Sequence, residues 1–361
     1  MNIIPVALKE NSYKIVVGSK ILLQLGQTLR KLKIGDDAVV VTNPLIQKKH
    51  GPPLTSGLKA AGLSVKFFPV PAGEQSKSNR VAFDLIDKIS CYDVKRKIFI
   101  MAFGGGVVGD LAGYVASVYK RGVPYVQVPT TLLAQIDSAI GGKVGIDLPT
   151  GKNLVGAIYQ PKIVWSDVSV LSTLNDRQIR NGLAEAVKYG IISDKKLFDY
   201  IEKNHTQLLS KHNGALQYLV LACSRIKACV VALDEKETKG VRTILNFGHT
   251  LGHAIEAAGS YADYHHGEAV ALGMRVAVEI SRQLGYLKKT DVLRINRLLS
   301  AIGLPRTIKK VKLTSILKAM AHDKKFKAKK NRFVLATRVG QVKVVEGIPE
   351  SVIRKSLSAY F

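Results

Sequence analysis

The stretch "RKIFIMAFGGGVVGDLAGYVASVYK", residues 96–120, decides the fold. Its first part is apolar enough for a buried strand, and "DLAGYVASVYK" reads as a helix. Between them Gly104, Gly106 and Gly109 match G-x-G-x-x-G. Strand, glycines and helix in that order put backbone amides at a helix start, where they can bind an anionic phosphate. In many α/β enzymes such a loop holds the pyrophosphate of a dinucleotide. This copy is not on a first strand. The acidic residue expected about twenty positions further on, for the ribose, is also missing, because that region reads "PYVQVPTT" (124–131). A tight turn that binds nothing stays open as a reading of the motif alone.

On either side of this stretch, short β-rich runs alternate with helical ones. "YKIVVG" (13–18), "DAVVVTN" (37–43), "SVKFFPV" (64–70), "PYVQVP" (124–129) and "KIVWSD" (162–167) read as strands, with helical patterns such as "NRVAFDLIDKIS" (79–90) between some of them. The alternation predicts a mostly parallel sheet with helices on both faces. After about residue 170 the period changes to that of helices, as in 175–193, 215–236 and 267–285, and strand signals nearly vanish until "RFVLATRVGQVKVVEG" (332–347). Glycines and prolines in "LPTGKNLVGAIYQP" (148–161) punctuate the chain before the shift. The reading is an α/β nucleotide-binding domain over 1–170 and an α-helical domain over 171–361, with a cleft expected between them. "PAGEQSKS" (71–78) follows a strand and offers Glu74 and Lys77 at its carboxyl end, where open α/β sheets bind ligands.

The 361 residues are 47% hydrophobic and 22% charged, ample for a large core. Three scattered cysteines, Cys91, Cys223 and Cys229, form neither a disulfide framework nor a zinc knuckle and suggest a reducing compartment. The start has no basic region followed by an apolar one, and the most apolar run, "YLVLACSRIKACVVAL", is cut by Arg225 and Lys227. A cytoplasmic protein is expected, with no membrane partner. The net charge of +27 favours anionic partners. "DKKFKAKKNR" (323–332) is the densest basic cluster, yet lysines are spread over the whole chain, aromatics are 7%, and no nucleic-acid recognition motif stands out. A basic solvated surface or a phosphorylated substrate fits better than nucleic acid as the main partner.

The helical half carries a second constellation, "NFGHTLGHAIE" (246–256) and "HHGEAVALGM" (265–274). His249 and His253 are four apart, on one helix face. Thr250 stands where H-E-x-x-H needs its glutamate, so a zinc-protease reading fails. Four of the eight histidines fall within 249–266, which strains the reading of each as a core or cap residue. Glu185 in "GLAEAVKYG" (182–190) lies on an apolar helix, where a lone carboxylate needs a partner. A glutamate with two histidines is a good zinc set that keeps a fourth position open.

With "GGGVVGDLAGYVAS" (104–117), "RGVPYVQVPTTLLAQIDSAIGGKVGID" (121–147) and "GKNLVGAIYQP" (151–161), these motifs make the chain resemble the 3-dehydroquinate synthase family, of the sugar phosphate cyclase superfamily, over nearly its full length. The resemblance implies a Rossmann-like α/β domain plus an all-α domain, the site between them, and a homodimer. It implies that 3-deoxy-D-arabino-heptulosonate 7-phosphate becomes 3-dehydroquinate and phosphate in the shikimate pathway. Bound NAD+ oxidises C5, phosphate leaves by β-elimination, the same cofactor reduces C5 again, the ring opens and an intramolecular aldol closes the carbocycle. A related cyclase acting on another sugar phosphate is the alternative.

Carried over residue by residue, the resemblance gives a divalent metal, zinc or cobalt, to Glu185, His249 and His266; "HGE" favours His266 over His265. His253 is expected to transfer protons, and Lys143, Lys188, Arg242 and Asn246 complete the catalytic set. Arg121, Asp137, Lys152, Asn153, Lys227 and Lys324 are expected on the substrate, whose carboxylate and phosphate need a cationic ring. Lys324 and Lys325 are not separable by sequence, and the match at Lys227 crosses a one-residue insertion near Lys239. Asn43, Glu74, Lys77, Gly105, Gly106, Asp110, Thr130 and Thr131, with Lys143 and Lys152, are expected on NAD+.

Overall fold

The computed structural model describes residues 1–259, 263–322 and 331–361. It divides into two compact units, one of Met1–Leu174 with Leu216–Lys236 and one of Asn175–Ala215 with Glu237–Phe361.

The first unit runs β1 (Asn2–Val6), β2 (Tyr13–Gly18), α1 (Leu25–Leu32), β3 (Asp37–Thr42), α2 (Pro44–Ala60), β4 (Ser64–Pro69), α3 (Asn79–Tyr92), β5 (Ile98–Gly104), α4 (Gly106–Val118), β6 (Tyr125–Pro129), β7 (Lys143–Leu148), β8 (Gly151–Ile158) and β9 (Ile163–Asp167). Among the described residues seven strands form one sheet, in the order β1-β2-β9-β6-β5-β3-β4. All pairings are parallel except β1 with β2. Every residue of β3, β5, β6 and β9 is buried. Parallel strands covered on both faces read as such continuous apolar runs, which is why these four are legible in the sequence. β1 is not, because it is a short edge strand containing Pro5, a residue that argues against a strand unless it lies at an edge.

The chain order reverses at β3, which pairs with β4 on one side and β5 on the other. Such a reversal opens a crevice at the carboxyl ends of the strands. The expected cofactor residues follow those ends: Asn43 after β3, Glu74 and Lys77 after β4, Gly105 and Gly106 after β5, Thr130 and Thr131 after β6.

Residues 148–161, read as loop punctuation, are largely strand β8, which pairs antiparallel with β7. Their glycines serve close approach instead of breaking structure, and Gly145 sits opposite Gly156. The hairpin lies on α4, where a Cβ added to Gly113 would come within 2.3 Å of Val144 Cγ1. Glycine at 113 is the condition for that contact.

The second unit contains α5 (Asp176–Ile192), α6 (Lys195–Leu209), the first residues of α7 (Asn213–Leu233), α8 (His249–Ala258), α9 (His266–Gln283), α10 (Lys289–Ala301), α11 (Leu313–His322), β10 (Arg332–Arg338), β11 (Gln341–Glu346) and α12 (Glu350–Ser358). It is largely helical, with α9 packed by α5, α8, α10, α12 and β10. The hairpin β10–β11 departs from an all-α domain, and it occupies the late strand signal at 332–347.

The domain boundary expected near 170 is only part of the division. The chain changes unit after Leu174 and again at both ends of Leu216–Lys236, most of α7. This helix is long and apolar enough to cross a membrane by composition alone, yet half of its apolar window is buried within the protein. Leu216, Leu219, Val220, Cys223 and Val231 are buried, and Ser224 Oγ donates to the Gln135 carbonyl at 3.3 Å. Helical period reveals the buried face but not its partner, which lies some ninety residues away in sequence.

Candidate active site

In the second unit three helices bring one carboxylate and three imidazoles together. Glu185 is in the middle of α5, His249 starts α8 and His266 starts α9. The glycines of the two histidine motifs make this possible: a Cβ on Gly273 of α9 would lie 2.0 Å from the Gly248 carbonyl. α8 and α9 therefore cross almost backbone to backbone.

His249 Nε2 and His266 Nε2 stand 3.4 and 3.6 Å from Glu185 Oε1. His249 Nδ1 is 3.1 Å from the Phe247 carbonyl, which can only accept, so Nδ1 carries the proton and Nε2 presents its lone pair. Glu185 is fully buried; the Lys188 ammonium lies against Oε2 as an ion pair, and Oε1 has no hydrogen-bond partner among the described residues. A buried carboxylate left so, facing two imidazole nitrogens, suits a cation.

The charges agree. Burial alone pushes the Glu185 carboxyl up, but Lys188, His249 and His266 outweigh it and hold it well below the usual range. Burial, with Lys188 close by, holds His249 well below the usual imidazole range. Burial also opposes charge on His266, yet Glu185 and then Glu256 push it up to about 10. The cluster draws a positive charge to the point where a divalent ion would sit. Glu185, His249 and His266 offer donor atoms within 4.8 Å of one another, and so do His253, Glu256 and His266.

His265 is set apart from its neighbour. It precedes α9, and its N–H donates to Glu268 Oε2 at 2.9 Å while Arg177 grips the same carboxylate through Nε and Nη2. The "HGE" motif thus starts α9, with His266 turned toward Glu185 and Glu268 bonded back to the helix start. Lys188, Arg242 and Asn246 lie in the same unit, Lys188 and Arg242 buried. Lys324 and its neighbour Lys325 fall outside the described residues.

In the first unit Gly105 caps α4 and Gly106 is its first residue. A Cβ on Gly105 would be 3.0 Å from Thr131 Cγ2, and one on Gly106 2.9 Å from Ser138 Oγ. Thr130 N donates to the Gly104 carbonyl at 2.9 Å, tying the ends of β5 and β6 together. Lys77 Nζ is buried, 2.8 Å from Asp110 Oδ2, in contact with Asn153 Oδ1 and 3.9 Å from Asp147 Oδ1. Lys152 Nζ is 3.4 Å from Glu74 Oε1. Asn43 Oδ1 accepts the Ile46 N–H and caps α2. Lys227 Nζ donates to Asp137 O at 2.7 Å and Oδ1 at 2.5 Å, at a π-helical turn over Ala134–Ser138. Turns of that kind concentrate at functional sites. Lys143 stands exposed at the start of β7, and Arg121 is exposed on a left-handed turn after α4.

Four residues at these clusters escape a sequence reading: Ser138, Asp147, Asn181 and Glu256. Asn181 Oδ1 accepts the Gly267 N–H at 2.5 Å, fixing the start of α9 one helical turn before Glu185 on α5. Only Glu256 leaves a usable trace, three residues after His253 on the same helix face.

A mostly parallel sheet with a glycine-started helix at its reversal point, in a chain whose second unit is helical and holds a Glu-His-His group, defines the class as an α/β-plus-helical fold with a candidate metal site. 2-epi-5-epi-valiolone synthase from Streptomyces hygroscopicus, solved with NAD+ and Zn2+ bound, superposes with a TM-score of 0.89 at 26% identity, covering 98% of both chains. 2-deoxy-scyllo-inosose synthase, solved with carbaglucose-6-phosphate, NAD+ and Co2+, gives 0.89 at 26% over all of both chains. An iron-containing alcohol dehydrogenase from Thermotoga maritima shares the fold, with a TM-score of 0.69 at 18% identity over 96% of this chain and 97% of that one.

The chain belongs to the 3-dehydroquinate synthase family. Residues 67–181 match the N-terminal model of that family and 182–326 its C-terminal model. The 3-dehydroquinate synthases of Desulforamulus reducens and Nostoc punctiforme are 44% and 43% identical, each over 99% of this chain and over 100% and 99% of theirs.

Proposed function

We propose that this chain converts 3-deoxy-D-arabino-heptulosonate 7-phosphate to 3-dehydroquinate and phosphate, using NAD+ and one divalent ion. The observation that carries the reading is the convergent Glu185–His249–His266 set in a chain collinear with 3-dehydroquinate synthases from end to end. The other cyclases stand at 26% identity, which supports the synthase over a related activity.

When bound, the divalent ion supplies a Lewis acid that lowers the cost of charge on a substrate hydroxyl. When bound, NAD+ supplies a reversible oxidation at C5 and finishes each cycle unchanged. Glu185, His249 and His266 hold the ion. Gly105, Gly106, Thr130 and Thr131 form a cradle that admits backbone amides close to the pyrophosphate, and Asn43, Glu74, Lys77 and Asp110 flank it. His253 moves a proton at the C5 hydroxyl. Lys143, Lys152, Lys188, Lys227, Arg121, Arg242 and Lys324 supply cations for the substrate's carboxylate and phosphate, while Asp137, Asn153 and Asn246 bind its neutral polar groups. The family resemblance adds a cytoplasmic homodimer.

The test is stoichiometry. Purified protein with the heptulosonate phosphate, zinc and limiting NAD+ should release many phosphates per NAD+ without accumulating NADH absorbance. One NADH per phosphate would overturn the redox-neutral reading. Gly106→Val, whose side chain would meet Ser138 Oγ, should stop phosphate release and abolish NAD+ binding.

A further inference from the structure

We propose that Glu256 is the positioning residue of the metal centre, holding His266 in the ring orientation and tautomer that present Nε2 to the ion. The proposal rests on the metal reading above. Glu256 is buried, 7% exposed, on the α8 face that carries His249 and His253. Its Oε2 lies 3.4 Å from His266 Nδ1, while His266 Nε2 faces Glu185 Oε1 at 3.6 Å. An ionised carboxylate only accepts, so Nδ1 keeps its proton and Nε2 is the nitrogen that gives up its proton to take the ion. A carboxylate on the far nitrogen of a ligating histidine also makes the ligand more basic.

The two histidines are therefore anchored differently. His249 is oriented by the main-chain carbonyl of Phe247, which no side-chain replacement removes. His266 is oriented by a side chain. Its backbone is fixed separately, through the bond from Gly267 N–H to Asn181 Oδ1. Loss of Glu256 would leave the backbone in place and free the ring to turn over.

Glu256 could instead be a ligand itself, since His253, Glu256 and His266 also converge. That set would use His266 Nδ1 and leave Glu185, fully buried, with the Lys188 ammonium on Oε2 and no ion on Oε1, the oxygen that faces His249 and His266. A buried carboxylate oxygen with neither a donor nor an ion is costly, and an ion held by Glu185, His249 and His266 removes that cost. His253 is in addition exposed where His249 is buried. The geometry favours Glu256 behind the ligand.

The test is zinc affinity of the full chain, measured by competition with a chromophoric chelator. Wild type without a tight site would sink the metal reading itself and not this inference alone. With that site present, Glu256→Ala should raise the zinc Kd by about ten- to a hundredfold, the range for second-sphere carboxylates. Glu256→Gln, which can still accept from Nδ1–H, should raise it less. His253→Ala should leave it within about twofold, and His266→Ala should abolish tight binding. Wild-type affinity in Glu256→Ala overturns the proposal. So does a loss in His253→Ala equal to that in Glu256→Ala, which would make the other set the site. If Glu256→Ala does not fold, Glu256→Gln and Glu256→Asp carry the test, and wild-type affinity in both overturns it.

Discussion

Asp147 Oδ1 accepts the backbone N–H of Asn153 at 2.7 Å, and Asn153 has a left-handed backbone with φ of +55°. Such a conformation costs a non-glycine residue of order 1–3 kcal/mol and persists where its surroundings impose it. Here the hairpin of β7 and β8 imposes it, stitched to the segment after β4 by the bond from Asp147 N to the Lys77 carbonyl. Lys77 Nζ completes the link by contacting Asn153 Oδ1. Asp147 thus couples a residue expected on NAD+ to one expected on substrate.

Asp147→Ala should therefore raise the KM for the heptulosonate phosphate by about tenfold, in line with roughly 1.5 kcal/mol for a hydrogen bond to a charged group. Asp147→Asn keeps an acceptor for the Asn153 N–H and should recover most of the loss. Steady-state kinetics with both substrates decides it; equal defects in the two variants would show that charge on Lys77, not the turn, is what matters.

Chelation should remove activity, and zinc or cobalt should restore it. Metal content by elemental analysis should fall to background in Glu185→Ala, His249→Ala and His266→Ala, and stay near one per chain in His265→Ala. His265 is spared because its backbone caps α9 while its ring takes no part in the Glu185 set. A full metal complement in His266→Ala with loss in His265→Ala would reverse the assignment.

Several lysines occupy left-handed turns where glycine is favoured, among them Lys9, Lys20, Lys33, Lys95, Lys120, Lys211 and Lys310. Part of the high positive charge is thus held at positions that lysine fits poorly. Lys33 caps the end of α1 with φ of 52° and ψ of 33°. Lys33→Gly should stabilise the protein by about 0.5–1 kcal/mol by relieving the Cβ clash of that conformation. Urea unfolding of the two proteins measures it, and a destabilised variant would refute the account.

Burial pushes the Asp110 carboxyl up to about 6, against the pull of Lys77. A carboxyl whose folded pKa lies above its unfolded value contributes stability that is full below the unfolded pKa, near 4, and is lost as pH rises through about 6. The stability of wild type relative to Asp110→Asn should therefore fall between pH 4 and 6.5 in cofactor-free protein. About a fifth of the Asp110 side chain meets solvent, so the change should be about 1–2 kcal/mol, less than the full shift implies. A flat difference across that window would place the Asp110 pKa near its ordinary value.

The sequence by itself determined the elements whose signal is local. Continuous apolar runs mark β3, β5, β6 and β9 because both sheet faces are covered. The glycine loop marks the strand-to-helix turn, and Glu185 and the four histidines of 249–266 stood out because ionisable groups on apolar helices need partners, while the choice of His249 and His266 came from the family resemblance. What only the tertiary structure decided depends on contacts between distant segments. The reversal of strand order at β3, the placing of Leu216–Lys236 in the first unit and the hairpin over 143–158 all follow from packing that no local period records. The same holds for Asp147 beside Asn153, and for Glu256 behind His266. A carboxylate has the same residue type whether it meets water or orients a ligand, and only the fold sets its neighbour.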